Sequence, residues 1–248
     1  MNTTPARTAA AETDYAHLPE RVSRVIQTQQ DASERLIGWS QLVIVILFGA
    51  LYAVSPKTFS ADVPFTPVPW ALGFYLIFTF MRLFHAYRGR LPDSILYASV
   101  VIDMALLLGL IWSFHIQYMQ PPSFYLKVPT LLYVFIFIAL RALRFEARFV
   151  VFAGIVAAAG WVVLVVYAIY ASGGAEMITR NYVYYMTSNS ILIGAELDKV
   201  ISILTVTAIL AVAISRARRL LTRAVAERAA AQDLSRLDRK STRLNSSH

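Results

Sequence analysis

The chain has 248 residues, 57% of them hydrophobic and 15% charged, where a soluble domain carries about 45–50% and about 25%. The excess lies in blocks long enough to cross a bilayer, which excludes an ordinary soluble domain, and the lack of any Cys excludes disulfides, thiolate catalysis and Cys-ligated metals. The formal charge of +8 would suit nucleic acid, but the basic residues fall at the ends of the apolar blocks. That is a topology signal, so the expected partner is the lipid bilayer and not nucleic acid.

Residues 1–35 are expected to be a cytoplasmic N-terminal segment. Within it, 1–16 (MNTTPARTAAAETDYA) is small and polar, the composition of a disordered stretch. From Leu18 to Arg35 the spacing of Leu18, Val22, Val25 and Ile26 predicts an amphipathic lead-in helix. The segment has no apolar core of the kind a secretory signal needs.

Residues 36–215 then read as a six-span membrane domain, with spans near 36–55, 69–87, 94–116, 128–144, 149–171 and 197–215, each within the roughly 17–25 residues that a crossing takes. The fourth is the shortest, and Arg141 and Arg144 set its inner end. The first connection, SPKTFSADVPFTPVP, is too rich in Pro to be helical throughout. Arg88 and Arg90 follow the second span, Arg148 lies with Arg141 and Arg144 after the fourth, and six Arg follow the sixth through Leu237. The other side holds only Lys57, Lys127 and Arg180, with Lys199 at the last boundary, so the positive-inside rule places both termini in the cytoplasm. The longest outer connection, 172–196, carries Tyr182, Tyr184 and Tyr185, which suit a membrane interface; Met177 to Ile193 is read as a short surface helix, and the connection as a loop covering the bundle or, more sharply, as a lid or ligand pocket. The two halves do not echo each other and no span is broken by a Pro or Gly pair, which counts against a repeat-built transporter.

Beyond the last span the sequence stays a good helix former, without Gly or Pro, through Arg216, Arg218, Arg219, Arg223, Arg228 and Arg236. Residues 216–237 are therefore expected to be a cytoplasmic signalling helix continuous with the sixth span. Ala213, Ala217, Leu220, Ala224, Ala231 and Leu234 follow steps of four and three, interrupted at Glu227, which predicts a two-stranded coiled-coil seam. A basic helix lying on an anionic leaflet is the alternative. The last stretch, 238–248, is polar and unpatterned and reads as a foreign tail. The fold class expected is all-α: an integral membrane six-helix bundle with a C-terminal cytoplasmic transducer helix.

Few residues could carry chemistry. Asp103, in the third span, costs about 2.5–3.5 kcal/mol in hydrocarbon and needs a partner facing inward. Arg82 in the second span is the first choice, about 6 Å away in depth by helical rise, and Arg141 the second. A pair that fixes helix register is the plain reading; a proton or ligand relay is the sharper one. His85 and His115 fall at opposite ends of their spans and cannot ligate one haem iron. No catalytic triad order, phosphate loop or metal-ligand cluster appears in the sequence.

The runs HIQYMQPPSFYLKVPTLLYVFIFIALRALRFEARFV, NSILIGAELDKVISIL and RARRLLTRAVAERAAAQDLSR resemble the membrane-anchoring half of bacterial class III adenylate/guanylate cyclases. The resemblance covers about 18–237. It implies a six-span anchor, a short helix and then a catalytic domain that converts ATP to cyclic AMP with Mg or Mn, working as a homodimer in the bacterial inner membrane. After DLSR the chain departs to LDRKSTRLNSSH, so none of that domain's metal-binding, base-selecting or transition-state residues matches a position here. The resemblance therefore implies a non-catalytic sensor and anchor, with no cofactor in this chain. The alternatives are a small transporter or channel using Asp103, Arg82 and Arg141, or the same anchor joined to another output domain.

Overall fold

The computed structural model describes residues 20–57, 65–89 and 91–245, with side chains over 32–57, 65–89 and 91–224. The expectation of disorder for 1–16 lies outside these residues, as do the side chains of Ala231 and Leu234. The described chain is helical: α1 (Glu20–Val54), α2 (Pro67–Arg88), α3 (Asp93–Gln117), α4 (Tyr133–Ala142), α5 (Ala147–Ala171), α6 (Tyr182–Thr187) and α7 (Ile193–Asn245). Three 3-10 turns, Pro122–Lys127, Pro129–Leu132 and Gly174–Met177, complete it. Among the described residues there is no strand, only a parallel bridge between Ile178 and Ile191.

The helix limits follow from local chemistry. Pro67 opens α2 at a position where no N–H is needed. Asp93 sits in the first turn of α3, where the helix dipole favours an acid. Asn181 caps α6 by accepting the Tyr184 backbone N–H at 3.1 Å. The lead-in helix and the first span are one helix, α1, since nothing between Glu20 and Val54 breaks it. Between Met177, which ends a 3-10 turn, and Ile193, which starts α7 before the expected sixth span, only Tyr182–Thr187 is helical. The expected tail is helical as far as Asn245.

Five helices are long and apolar enough to cross a membrane: Ala32–Val54, Pro67–Arg88, Asp93–Gln117, Ala147–Ala171 and Ile193–Ala224. Their outward faces are apolar; Ile77 is 70% exposed and Val212 69%. Water-soluble surfaces do not sustain apolar faces of this extent, and the chain is an all-α membrane protein. The fourth expected span is different. Pro129 supplies no N–H, the stretch starts in 3-10 geometry, and the α-helix that follows has ten residues, about 15 Å against a hydrocarbon core of about 30 Å.

Glu34–Ser215 form one compact unit; the described residues 20–33 and 216–245 belong to a second. In the first, α3 and α5 pack side by side and run parallel, Asp93 meeting Arg148 at one end and Trp112 facing Tyr167 toward the other. Helix α7 runs against α5, with Glu196 beside Trp161 and Thr207 beside Gly154. The segment 126–144 joins the two ends of the unit. Lys127 binds the carbonyls of Tyr185 and Ser188 at one end, and Arg144 binds Glu34 at 2.6 Å at the other. Six segments thus alternate in direction, five as long helices and one as 3-10 turns plus α4. The core between them is built on Val100, Met104, Ile111, Val134, Ile138, Val150, Ala157 and Trp161, all 1% exposed or less.

Candidate functional site

One end of this unit holds an ionic network, buried at Glu34, Arg82, Arg144 and Glu146 and exposed at Arg148 and Asp93. Glu34 of α1 accepts from Arg82 of α2 at 2.9 Å and from Arg144 at 2.6 Å. Arg144 also donates to Glu146 at 2.8 Å, Glu146 accepts from Arg148 at 2.6 Å, and Arg148 reaches Asp93 of α3 at 2.7 Å. The turn that carries Arg144 and Glu146 is tight: Phe145, between them, has φ +58°, a left-handed conformation that an L-residue adopts at a cost of about 1–3 kcal/mol. The ion pairs on either side of Phe145 hold that turn in place.

A second cluster lies deeper. Asp103 is 1% exposed, and its Oδ2 accepts from the Arg141 guanidinium and, at 3.0 Å, from Gln41 Nε2. Gln41 Nε2 also donates to the Tyr75 hydroxyl at 2.9 Å, and Gln41 Oε1 accepts from Arg82 Nη1 at 2.8 Å. The first-choice partner is thereby corrected: Arg141 meets Asp103 directly, whereas Arg82 reaches it only through Gln41. The depth gap between Arg82 and Asp103 is filled by a side chain of α1, a helix whose contacts no spacing within α2 or α3 reveals. Glu34 and Gln41 are the residues that sequence reasoning missed. Their signal was their position, about half a turn and about two and a half turns into α1's apolar stretch from Ala32, where a polar residue needs a reason.

Asp103 also lines a cavity of about 280 Å³ between α1, α2, α3 and the start of α4. Its buried end is made by Tyr75, Asp103, Leu107 and Phe137, and Leu51 and Ser55 stand exposed at the other. The second carboxylate oxygen, Oδ1, is fully buried and has no hydrogen-bond partner among the described residues.

The opposite end of the unit is polar in a different way. Trp161 donates to Glu196 at 3.1 Å, Lys199 donates to Glu196 at 2.7 Å and to the Leu126 carbonyl at 2.6 Å, and Lys127 stands over the Tyr185 ring at 4.4 Å. Burial lowers the Lys127 ammonium and raises the Tyr185 phenol from their ordinary pKa values. Tyr185 is buried there, whereas Tyr182 and Tyr184 are exposed. These contacts tie the start of α7 to α5 and to the 3-10 turn before α4.

His85 hydrogen-bonds the Met81 carbonyl at 2.8 Å near the ionic end, and His115 bonds the Trp112 carbonyl near the other end. The structure does not bring them together. Along the expected seam, Ala213, Leu220 and Ala224 are exposed and Ala217 half-buried. No protein-family model, curated protein or solved structure matches the chain.

Proposed function

We propose that the chain is the membrane-anchoring and signal-transducing half of a class III nucleotide cyclase. It acts as a homodimer in a bacterial inner membrane, with six crossings and both ends of the bundle's chain on the cytoplasmic side. The observation that carries this reading is α7. Its start is held by Glu196, Trp161 and Lys199, and it continues as one helix to Asn245. An unbroken helix passes a shift or rotation of its apolar part to its basic continuation. The resemblance of 115–149 and 191–236 to cyclase anchors supplies the output, with ATP and Mg or Mn belonging to that domain alone.

The test joins residues 1–237 to a class III catalytic domain in a bacterium that lacks its own cyclase. Cyclic AMP made by the membrane fraction, and lost when Leu220→Pro breaks α7, supports the proposal. Equal activity from the Leu220→Pro chain, or from an unrelated single-span anchor in place of residues 1–215, overturns it. The purified polypeptide itself is expected to form no cyclic nucleotide from ATP or GTP with Mg or Mn; turnover above a detergent blank contradicts this.

A second reading, a conduit for protons or a small solute, is favoured by one arrangement. The cavity reaches Asp103 from one end of the unit, and a polar chain through Gln41, Arg82, Glu34 and Arg144 leads from Asp103 to the other. Flux into liposomes that Asp103→Asn abolishes selects this reading over the first.

A further inference from the structure

We propose that the cavity between α1 and α2 takes one acyl chain of an anionic phospholipid, whose phosphate is held at the mouth by Lys57. The course of the two helices makes the opening. Near the ionic end they touch, with Leu83 of α2 packed onto Gly38 of α1. Toward the other end the cavity comes between them, lined by Leu51, Tyr52 and Ser55 on the α1 side and by Val68, Ala71 and Leu72 on the α2 side. Leu51 is 54% exposed, so the mouth lies on the apolar outward surface that faces lipid. The walls behind it, among them Phe48, Leu107, Leu110 and Phe137, are apolar. The polar groups at the closed end are already engaged: Asp103 Oδ2 accepts from Arg141 and Gln41, and the Tyr75 hydroxyl accepts from Gln41. A ligand therefore gains no hydrogen bond at depth, and its polar group belongs at the mouth.

An apolar cavity does not hold water well, and hydrocarbon surrounds this one. Its volume of about 280 Å³ is at the low end of small-molecule sites, roughly 300–1,000 Å³. That takes one acyl chain and leaves a second in the bilayer. The mouth sets the head group. Lys57, two residues beyond Ser55, donates to the Tyr52 carbonyl and stands 3.4 Å from the centroid of the Tyr52 ring. Tyr52 lines the cavity, so the ammonium is placed at its entrance. An ammonium has three donors, and the carbonyl takes one. No described carboxylate pairs with Lys57, which leaves its charge for an anion. Trp70, in the first turn of α2 and 72% exposed, marks this level as the membrane–water interface, where lipid phosphates lie. The inference stands on the cavity and Lys57 and does not depend on which output the chain serves.

The experiment uses the full chain in phosphatidylcholine nanodiscs and two probes, a phosphatidylglycerol and a phosphatidylcholine that each carry a diazirine in one acyl chain. Photolabelling is mapped by mass spectrometry. The expected label falls on cavity residues such as Leu72, Leu107 and Leu110. The phosphatidylglycerol probe should label them about fivefold more than the phosphatidylcholine probe, the preference that one Lys at the membrane surface gives an anionic lipid. Lys57→Gln, at an exposed position, should remove that preference and leave the label in the cavity. Ala71→Phe, which fills the cavity from α2, should abolish cavity labelling by both probes. Equal labelling of the wild-type cavity by the two probes, a preference that survives Lys57→Gln, or full labelling of Ala71→Phe overturns the proposal. So does label confined to lipid-facing positions such as Ile77 and Val212, or displacement of the phosphatidylglycerol probe by an equal amount of decanoate, which would assign the cavity to a free fatty acid.

Discussion

Asp103 and Arg141 are each buried to within a few percent and bonded to one another, so removing one strands the other. Breaking a buried pair this way costs about 3–5 kcal/mol. Asp103→Ala is expected to lower stability by that order in detergent thermal melts, and Asp103→Asn by less, because an amide oxygen still accepts from Arg141. The double variant Asp103→Leu with Arg141→Met should recover most of the loss, since well-packed apolar residues of similar size replace buried ion pairs at little cost. Melts in which all three match the wild type would show that the pair is solvated and does not hold the helices in register. Arg82 should tolerate Asp103→Ala better than Arg141 does, because Arg82 keeps Glu34 at 2.9 Å and the Gln41 carbonyl oxygen at 2.8 Å.

At the scale of elements, small residues decide how closely α5 approaches its neighbours. A Cβ on Gly154 would fall 2.1 Å from Thr207 Oγ1 and 2.7 Å from Thr207 Cβ, so α5 and α7 touch nearly backbone to backbone there. Close approach through small residues is the usual way membrane helices pack, because burial drives them together weakly in lipid. Gly160 is also crowded, by the Leu108 tip at 2.3 Å, but a leucine end rotates away more easily than the Cβ of a β-branched threonine. Gly154→Val is therefore expected to cost about 1–3 kcal/mol, the range for overpacking, and Gly160→Ala less. Thr207→Ala should partly rescue Gly154→Ala by clearing the space. Equal melting temperatures for Gly154→Val and wild type would mean that α5 and α7 do not meet at this point.

At the scale of the whole molecule, the exposed row Ala213, Leu220 and Ala224, with half-buried Ala217, is the face a second copy would cover if the chain dimerises through α7. The chain contains no Cys, so single cysteines report position without background. Disulfide cross-linking in membranes should peak at Ala213, Ala217, Leu220 and Ala224 and fall at Ser215, Arg219, Thr222 and Ala226, with a period of three and four. A flat profile, or a monomer by mass in both detergent and nanodiscs, rejects a dimer built on this helix.

The sequence by itself determined where the apolar helices lie, because a crossing needs a long uninterrupted run and composition reports that directly. The expected 94–116 and 149–171 fall within Asp93–Gln117 and Ala147–Ala171. It also singled out Asp103, since a carboxylate inside such a run stands out in one dimension. Only the tertiary structure decided who partners it. Arg141 is 38 residues away and Gln41 62, and nothing in periodicity tells which faces of α1, α3 and α4 meet. The same holds for Glu34, which at the border of α1's apolar stretch looks like a solvated end and is in fact the hub joining α2 to the turn after α4. The fourth segment shows the limit of hydropathy in the other direction. Its residues are apolar enough for a span, but Pro129 puts its start, Pro129–Leu132, into a 3-10 turn. Its reach from Lys127 to Arg144 comes from packing against α3 and α5 and from ion pairs at the Arg144 end, which a count of apolar residues does not contain.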